Sequence, residues 1–248
     1  MLQPIILAAG KGTRMASELP KTLCIVAGKP MLTYILESLT AASNCLPPIV
    51  VVGYKGDQVK EFLGADAKTV EQSDLSGTGT AAKIALTVVP KDVEKVLIIY
   101  GDHPFTTSRS IQEIEKKHDE AHATITFGTT TVPDFADWRR VFVSFGRVLR
   151  NQAGEVQEIR EYKNANEYEQ KVRELNPGFY CVDRAWLESA VAQIERNEVS
   201  GEFYLTDIVS LALDEGKKVE TISMDPKEAL GINSPEDAKL AESLFSAR

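Results

Sequence analysis

Residues 7–15 read LAAGKGTRM, an apolar run ending in a loop that holds Gly10, Lys11, Gly12, Thr13 and Arg14, and Pro20-Lys21 follows downstream. Glycines let a backbone approach a phosphate chain closely and present its N–H groups, while Arg14 and Lys21 can neutralise phosphate oxygens. With Leu7, Ala8 and Ala9 leading into it, this stretch is predicted to cradle a small phosphate ligand at the carboxyl end of a first strand, where open α/β sheets bind. It is not a Walker loop: Gly28-Lys29 is followed by Pro30, and Leu23 stands where that motif needs its first glycine. A second cluster, Gly77-Thr78-Gly79-Thr80-Ala81-Ala82, formally matches the dinucleotide fingerprint, but polar EQSDLS replaces the strand that must precede it. This loop is expected to lie against a base or sugar, with Gln72 offering an amide to a nucleobase edge, or else simply to start the next helix. Tyr100-Gly101-Asp102 closes an apolar run, and a carboxylate beside phosphates suits Mg²⁺, with Asn233 able to complete the coordination. His118 and His122, four apart, form a poor metal pair with no third ligand evident.

Strands and helices must hold these residues. Apolar β-branched runs at 4–9, 48–53 and 94–100 alternate with helical patterns that open at Pro30 and span 78–89 and 107–121. That alternation predicts an α/β fold, with a mixed, mainly parallel sheet flanked by helices. From about residue 123 to 182 the pattern turns β-rich (ATITFGTTTV, RVFVSFGRVLR, VQEIREYK), predicting a small antiparallel lobe added to the sheet. Helices are expected at 183–197 and 204–215, a strand at 217–224, and a last helix N-capped by Ser234, with Asp237 completing a capping box.

Composition narrows the function. The 248 residues contain 28 Lys+Arg and 36 Asp+Glu, a formal charge of −8, with 43% hydrophobic and 26% charged residues. An acidic balance without basic clusters excludes the footprint of a nucleic-acid binder. Cys24, Cys45 and Cys181, odd in number and without Cys-x-x-Cys spacing, encode neither a disulfide framework nor a zinc site, so a reducing, cytoplasmic location is expected. No apolar stretch approaches the ~18 residues of a membrane span, and residues 1–14 do not read as a signal peptide.

In order and separation, these motifs resemble the sugar-1-phosphate nucleotidyltransferases, and among them the N-terminal uridylyltransferase domain of the bifunctional N-acetylglucosamine-1-phosphate uridylyltransferases. The opening L-A-A-G-x-G-T-R-M and P-K fall on residues 7–15 and 20–21, and the short gap from Arg14 to Lys21 favours the uridylyl branch over glucose-1-phosphate thymidylyltransferases. The resemblance implies a Rossmann-like fold of the nucleotide-diphospho-sugar transferase type. It makes Arg14, Lys21 and Asp102 catalytic, and residues 7–13 with Gln72, Gly77 and Thr78 nucleotide-binding. Tyr100, Gly101, Gly146, Glu161 and Asn176 become sugar-binding, Asp102 and Asn233 the Mg²⁺ ligands, and GEFYLTD (201–207) a further family segment. The implied substrates are UTP and a sugar 1-phosphate, N-acetylglucosamine 1-phosphate first. A cytidylyl- or other nucleotidyltransferase, or a non-catalytic nucleotide-sugar-binding regulatory subunit, remains the alternative.

Three departures accompany it. VPDFADWRRVFVS replaces a short turn before FGRV, so Trp138, Arg139 and Arg140 are expected at either an idle hairpin tip or a lid over the acceptor. Pro177 stands where threonine is common and removes a backbone donor. No hexapeptide repeat follows residue 233, so neither a β-helix acetyltransferase domain nor the trimer it builds is expected, and the oligomeric state is left open. The expected organisation is one nucleotidyltransferase domain over 1–233 and a C-terminal helix over 234–248.

Overall fold

In the computed structural model, residues 1–245 are described. The strands are β1 (Leu2–Leu7), β2 (Ile25–Val26), β3 (Lys29–Pro30), β4 (Ile49–Val52), β5 (Lys68–Glu71), β6 (Lys95–Tyr100), β7 (Ile125–Thr131), β8 (Gly146–Arg150), β9 (Val156–Arg160), β10 (Glu174–Asn176), β11 (Phe179–Asp183) and β12 (Val219–Ser223). The helices are α1 (Met31–Ala42), α2 (Gly56–Leu63), α3 (Thr78–Leu86), α4 (Ser108–Ala121), α5 (Arg184–Ala190), α6 (Asp207–Asp214) and α7 (Pro235–Phe245).

Near-continuous apolar strands such as IVVV in β4 bury both faces, because successive side chains point to opposite sides of a sheet. Ile5, Ile49, Val51, Val96 and Ile98 pack one side against α3, α5 and α6. Leu2, Ile6, Val50, Val52, Leu97 and Ile99 pack the other against α1, α2 and α4. The sheet order is β5-β4-β1-β6-β11-β7-β10-β8-β9, with β12 parallel to β7. β1, β4, β5 and β6 are mutually parallel, and from β6 through β11, β7, β10, β8 and β9 the neighbours in the sheet are antiparallel. The β-rich region therefore does not begin a separate layer: β7 and β11 lie inside the main sheet, and only β8 to β10 project from its end.

Boundaries shift where a local signal is weak. Pro30 precedes α1 and pairs with Ile25 in a two-stranded ribbon rather than occupying the first helical position. The helix read over 183–197 stops at Ala190, and that read from 204 starts at Asp207. Ser234 does cap α7: its Oγ accepts from Asp237 N at 3.2 Å, while Asp237 Oδ2 accepts from Asn233 N at 2.9 Å. Residues 246–248 of the expected last helix lie outside the described residues.

A third apolar cluster holds α7 to the site's flank and contains Met15, Val26, Phe105, Phe142, Phe145, Ile232 and Ala241. Phe142 belongs to the segment read as part of a strand and as a hairpin tip or lid. Residues Asp137–Ser144 instead form a 3-10 helix, and Phe142 is fully buried with its ring 5.1 Å from that of Phe145. Arg139 is spent on Asp134 at 2.6 Å and faces Asp137 at 3.7 Å, so it does not serve as one of two free guanidiniums. The β-branched and aromatic run VFV in RVFVSF mimics a strand, but the aromatics find their burial on a tight helical turn.

Candidate active site

The carboxyl ends of β1 and β6 lie side by side, and backbone bonds pin the loops that leave them: Gly101 N donates to Leu7 O at 2.9 Å and Ala8 N to Val51 O at 2.9 Å. Gly12 has a left-handed φ of +56°, and a Cβ there would stand 2.6 Å from Lys21 Cβ. Only glycine combines that backbone with so close a pass of the Lys21 stem.

Four residues converge as a result. Lys21 Nζ lies 2.5 Å from Asp102 Oδ2 and 2.7 Å from Asn233 Oδ1, and Arg14 Nη2 donates to the same Asn233 oxygen at 2.9 Å. Asn233 is held there because Ile232 N donates to Asp102 O at 2.9 Å and because its own N–H is tied to Asp237. Burial pushes the Asp102 carboxyl up, but the Lys21 charge, the His103 ring and the Lys21 hydrogen bond together outweigh it and hold the group at about 2. It is an anion at any physiological pH.

The oxygens of Asp102 and Asn233 already converge on one cation, the Lys21 ammonium. Two hard oxygen donors around a common centre, with phosphates to supply the rest, match what Mg²⁺ takes from a protein. Among the described residues there is no cluster of three or more His, Cys, Asp or Glu that could hold a metal unaided. His118 is instead buried, its Nδ1 3.2 Å from Thr126 Oγ1 and its Nε2 3.2 Å from Asp183, and His122 is the exposed left-handed C-cap of α4.

From this cluster a cavity of about 470 Å³ runs over Leu7 to Lys11 toward Gln72, Gly77 and Thr78. The Gly77 loop is built against the segment 201–207. Phe203 N donates to Ser76 O at 2.7 Å, Gly79 N to Phe203 O at 2.8 Å, and Leu205 N to Thr78 Oγ1 at 3.0 Å. A Cβ on Gly77 would run into the Phe203 backbone. Gln72 is buried, and its Nε2 donates to Gly77 O at 3.1 Å, which ties the amide to the loop. Thr22 lines the same cavity with a buried Oγ1 that has no partner, as Glu202 also lines it. Thr22 is not picked out by sequence, its position directly after Lys21 being the one available signal, whereas Glu202 falls in the segment 201–207 that the resemblance marks.

Of the residues expected around a sugar, Tyr100 ends β6 and Gly101 follows it, while Gly146, Glu161 and Asn176 lie on or beside β8 to β10, beyond β11 and β7 in the sheet. Gly146 and Asn176 pair directly across β8 and β10. Glu161 Oε1 accepts from Thr206 Oγ1 at 2.9 Å, and burial raises its carboxyl above the usual range. Gly178, at φ +77°, supplies the N–H that Pro177 lacks, donating to Asn176 Oδ1 at 3.1 Å, and a Cβ on it would overlap the Tyr100 ring.

Arg147, an ordinary strand residue to sequence reasoning, is the largest fully buried side chain. Its guanidinium lies between the Phe135 and Tyr162 rings, at 4.9 and 5.0 Å from their centroids. It donates to the carbonyls of Phe145 at 2.5 Å, Val143 at 2.9 Å and Gln170 at 3.2 Å. Five fixed donors spent on carbonyls clasp the 3-10 segment to the lobe, immediately beside Gly146. A charged residue between Gly146 and Val148, in the interior of a strand, is the one signal in the sequence.

A family model described as the MobA-like NTP transferase domain matches residues 4–168. The chain belongs to this family. Among curated relatives, the MobA-like chain is 38% identical over 245 residues to the bifunctional protein GlmU of Heliobacterium modesticaldum, covering 98% of this chain and 52% of that protein. It is 38% identical over 240 residues to the bifunctional protein GlmU of Desulfotalea psychrophila, covering 96% of this chain and 68% of that protein. The chain thus spans about half the length of the first of these. A crystal structure of a candidate glucose-1-phosphate thymidylyltransferase from Bacillus anthracis, in complex with a sucrose, superposes with a TM-score of 0.74 over 98% of this chain and 95% of that one at 20% identity. That likeness shows that the MobA-like domain has a nucleotidyltransferase fold. Among the described residues no helix is long and apolar enough to cross a membrane.

Proposed function

We propose that the protein joins UTP to N-acetylglucosamine 1-phosphate, giving the UDP-sugar and pyrophosphate, as a cytoplasmic enzyme. The observation that carries this reading is the meeting of Arg14, Lys21, Asp102 and Asn233 at the mouth of the cavity whose far wall is Gln72, Gly77 and Thr78. Residues 7–13 would hold the triphosphate by backbone N–H groups, and Gln72, Gly77 and Thr78 the base. Gly101, Tyr100, Gly146, Glu161 and Asn176 would hold the sugar. An oxygen of the sugar phosphate attacks the α-phosphorus in line while the bond to the β-phosphate bridging oxygen breaks. A phosphate is already an anionic nucleophile, so no general base is required, and rate comes from positioning and charge neutralisation. Arg14 and Lys21 take up the negative charge that moves to departing pyrophosphate. Mg²⁺, held by Asp102 and Asn233 with phosphate oxygens, would supply Lewis-acid charge stabilisation.

The 38% identity to proteins named bifunctional GlmU supports the choice of this branch. Assembly of the four charged and polar groups argues against a purely regulatory binding subunit. A pyrophosphate-release screen of four nucleoside triphosphates against a panel of sugar 1-phosphates tests the proposal. The expected best pair is UTP with N-acetylglucosamine 1-phosphate. A kcat/KM for glucose 1-phosphate equal to or above that for the N-acetylated sugar would overturn the acceptor assignment.

A further inference from the structure

The two ends of the Asn176 amide are treated differently. Oδ1 accepts from Gly178 N at 3.1 Å and from the Tyr180 hydroxyl at 2.6 Å. Nδ2 is buried without a hydrogen-bond partner, in a residue only 7% exposed. A buried donor left unmade costs about 1–3 kcal/mol. This orientation therefore needs both something that enforces it and a ligand oxygen that later satisfies it.

Tyr180 supplies the enforcement. β11 runs antiparallel to β6, with Phe179 opposite Ile99 and Tyr180 opposite Ile98, so the fully buried Tyr180 ring lies 6.5 Å from that of Tyr100. Tyr100 and Thr78 line the same cavity. Leu205 N–H already donates to Thr78 Oγ1 at 3.0 Å. Each hydroxyl has one proton to give. Tyr180 spends its one proton on the Asn176 amide oxygen. Turning the Asn176 amide over would set Nδ2 against the Gly178 N–H, which can only donate, and would take from the Tyr180 proton the acceptor it now has.

We propose that Tyr180 is a positioning residue for acceptor choice: with Gly178 it locks the Asn176 amide so that Nδ2 is the end left for the acceptor, which must then offer a hydroxyl or carbonyl oxygen. The inference rests on Asn176 belonging to the acceptor pocket, as in the proposed function.

The test is a double-mutant cycle in the full chain with UTP and N-acetylglucosamine 1-phosphate, each variant also checked for its melting midpoint. Tyr180→Phe should raise the KM for the sugar phosphate about tenfold, the scale of one buried hydrogen bond, with kcat and the KM for UTP within about twofold, small beside that effect. In an Asn176→Ala background the same change should move the sugar KM less than about twofold, because the amide through which it acts is gone. An equal rise in both backgrounds would make Tyr180 merely structural and overturn the proposal. No rise for Tyr180→Phe alongside a raised KM for Asn176→Ala would overturn the lock but not the site. An unchanged KM for Asn176→Ala would overturn both. Should Tyr180→Phe not fold, a crystal structure of the parent enzyme with the sugar phosphate decides it. Nδ2 on a sugar oxygen with Oδ1 still on Tyr180 supports the lock, and Nδ2 facing Tyr180 overturns it.

Discussion

The proposed nucleotide side and the proposed acceptor side of the site are built by different means. On the nucleotide side, the backbone does most of the positioning. Leu7 and Gly101 bond across parallel strands, Gly12 yields space to Lys21, and Gly77 presses against the Phe203 backbone. On the acceptor side, side chains do it. Arg147 clasps three carbonyls, Asn176 is held by Tyr180, and Glu161 by Thr206. A backbone-built half tolerates changes of outward side chains but not of its glycines, whereas a side-chain-built half can be dismantled one residue at a time.

Asp102→Ala is the sharpest break on the nucleotide side. It should abolish turnover, by at least about 10³, because it removes the anion that anchors Lys21 and the expected metal ligand together. Circular dichroism should still report a folded chain, and full activity at ordinary Mg²⁺ concentrations would sink the assignment. Arg14→Ala and Lys21→Ala should each cost ~10²–10³ in kcat/KM, the loss expected for one electrostatic donor to a transition state. If both stay within about threefold, small beside that loss, the glycine loop is a structural turn.

Arg147→Met sharpens the contrast from the other side. It leaves the carbonyls of Phe145, Val143 and Gln170 without their donors, at a cost of roughly 1–3 kcal/mol for each that water does not recover. Hydrogen exchange should quicken across residues 137–147 and at 170, and the KM for the sugar phosphate should rise with the one for UTP nearly unchanged. Equal increases in both KM values would mean that the clasp supports the whole sheet rather than the lobe. Arg147→Lys should not rescue it, since an ammonium cannot reproduce the planar fork.

This division also explains what the sequence disclosed. The parallel sheet and the loop at 7–15 were legible because apolar β-branched runs and glycine-cation clusters are local signals, each contained in fewer than about ten residues of chain. Asn233 stood out only weakly, as a residue ahead of a helix, because what makes it part of the site is Lys21, far away in the chain. Arg147 showed only as a charge inside a strand and Tyr180 not at all, since one answers to the carbonyls of Val143, Phe145 and Gln170 and the other to the amide of Asn176, contacts set by how the backbone turns and not by residue type. The segment at 133–144 misled because its apolar run VFV reads as a strand, while Phe135, Trp138, Phe142 and Phe145 recur at helical spacing and pack against α7 and one another.

The smallest effect concerns the segment that joins the two halves. Residues 203–205 bond to the Gly77 loop, Thr206 holds Glu161, and Asp207 opens α6 beside Glu158. Burial, with the Glu158 charge adding to it, pushes the Asp207 carboxyl up to about 6. In the unfolded chain the same group titrates near ~3.9. Below pH ~4 both states carry the proton and the group costs nothing. Between pH ~4 and about 6 the unfolded state has released its proton while the folded state keeps it, so stability falls as pH rises, and it levels off above that range. Asp207→Asn removes the titration and should leave stability unchanged near pH 4 but raise it at pH 7.5. Solvent screening at this half-buried position, and the favourable placement of an anion in the first turn of a helix, reduce the expected gain to about 1 kcal/mol. Urea melts of the two proteins at both pH values measure it. A difference of the same size at pH 4 and pH 7.5 would show that Asp207 is solvated, and that the segment joins the two halves without confining charge between them.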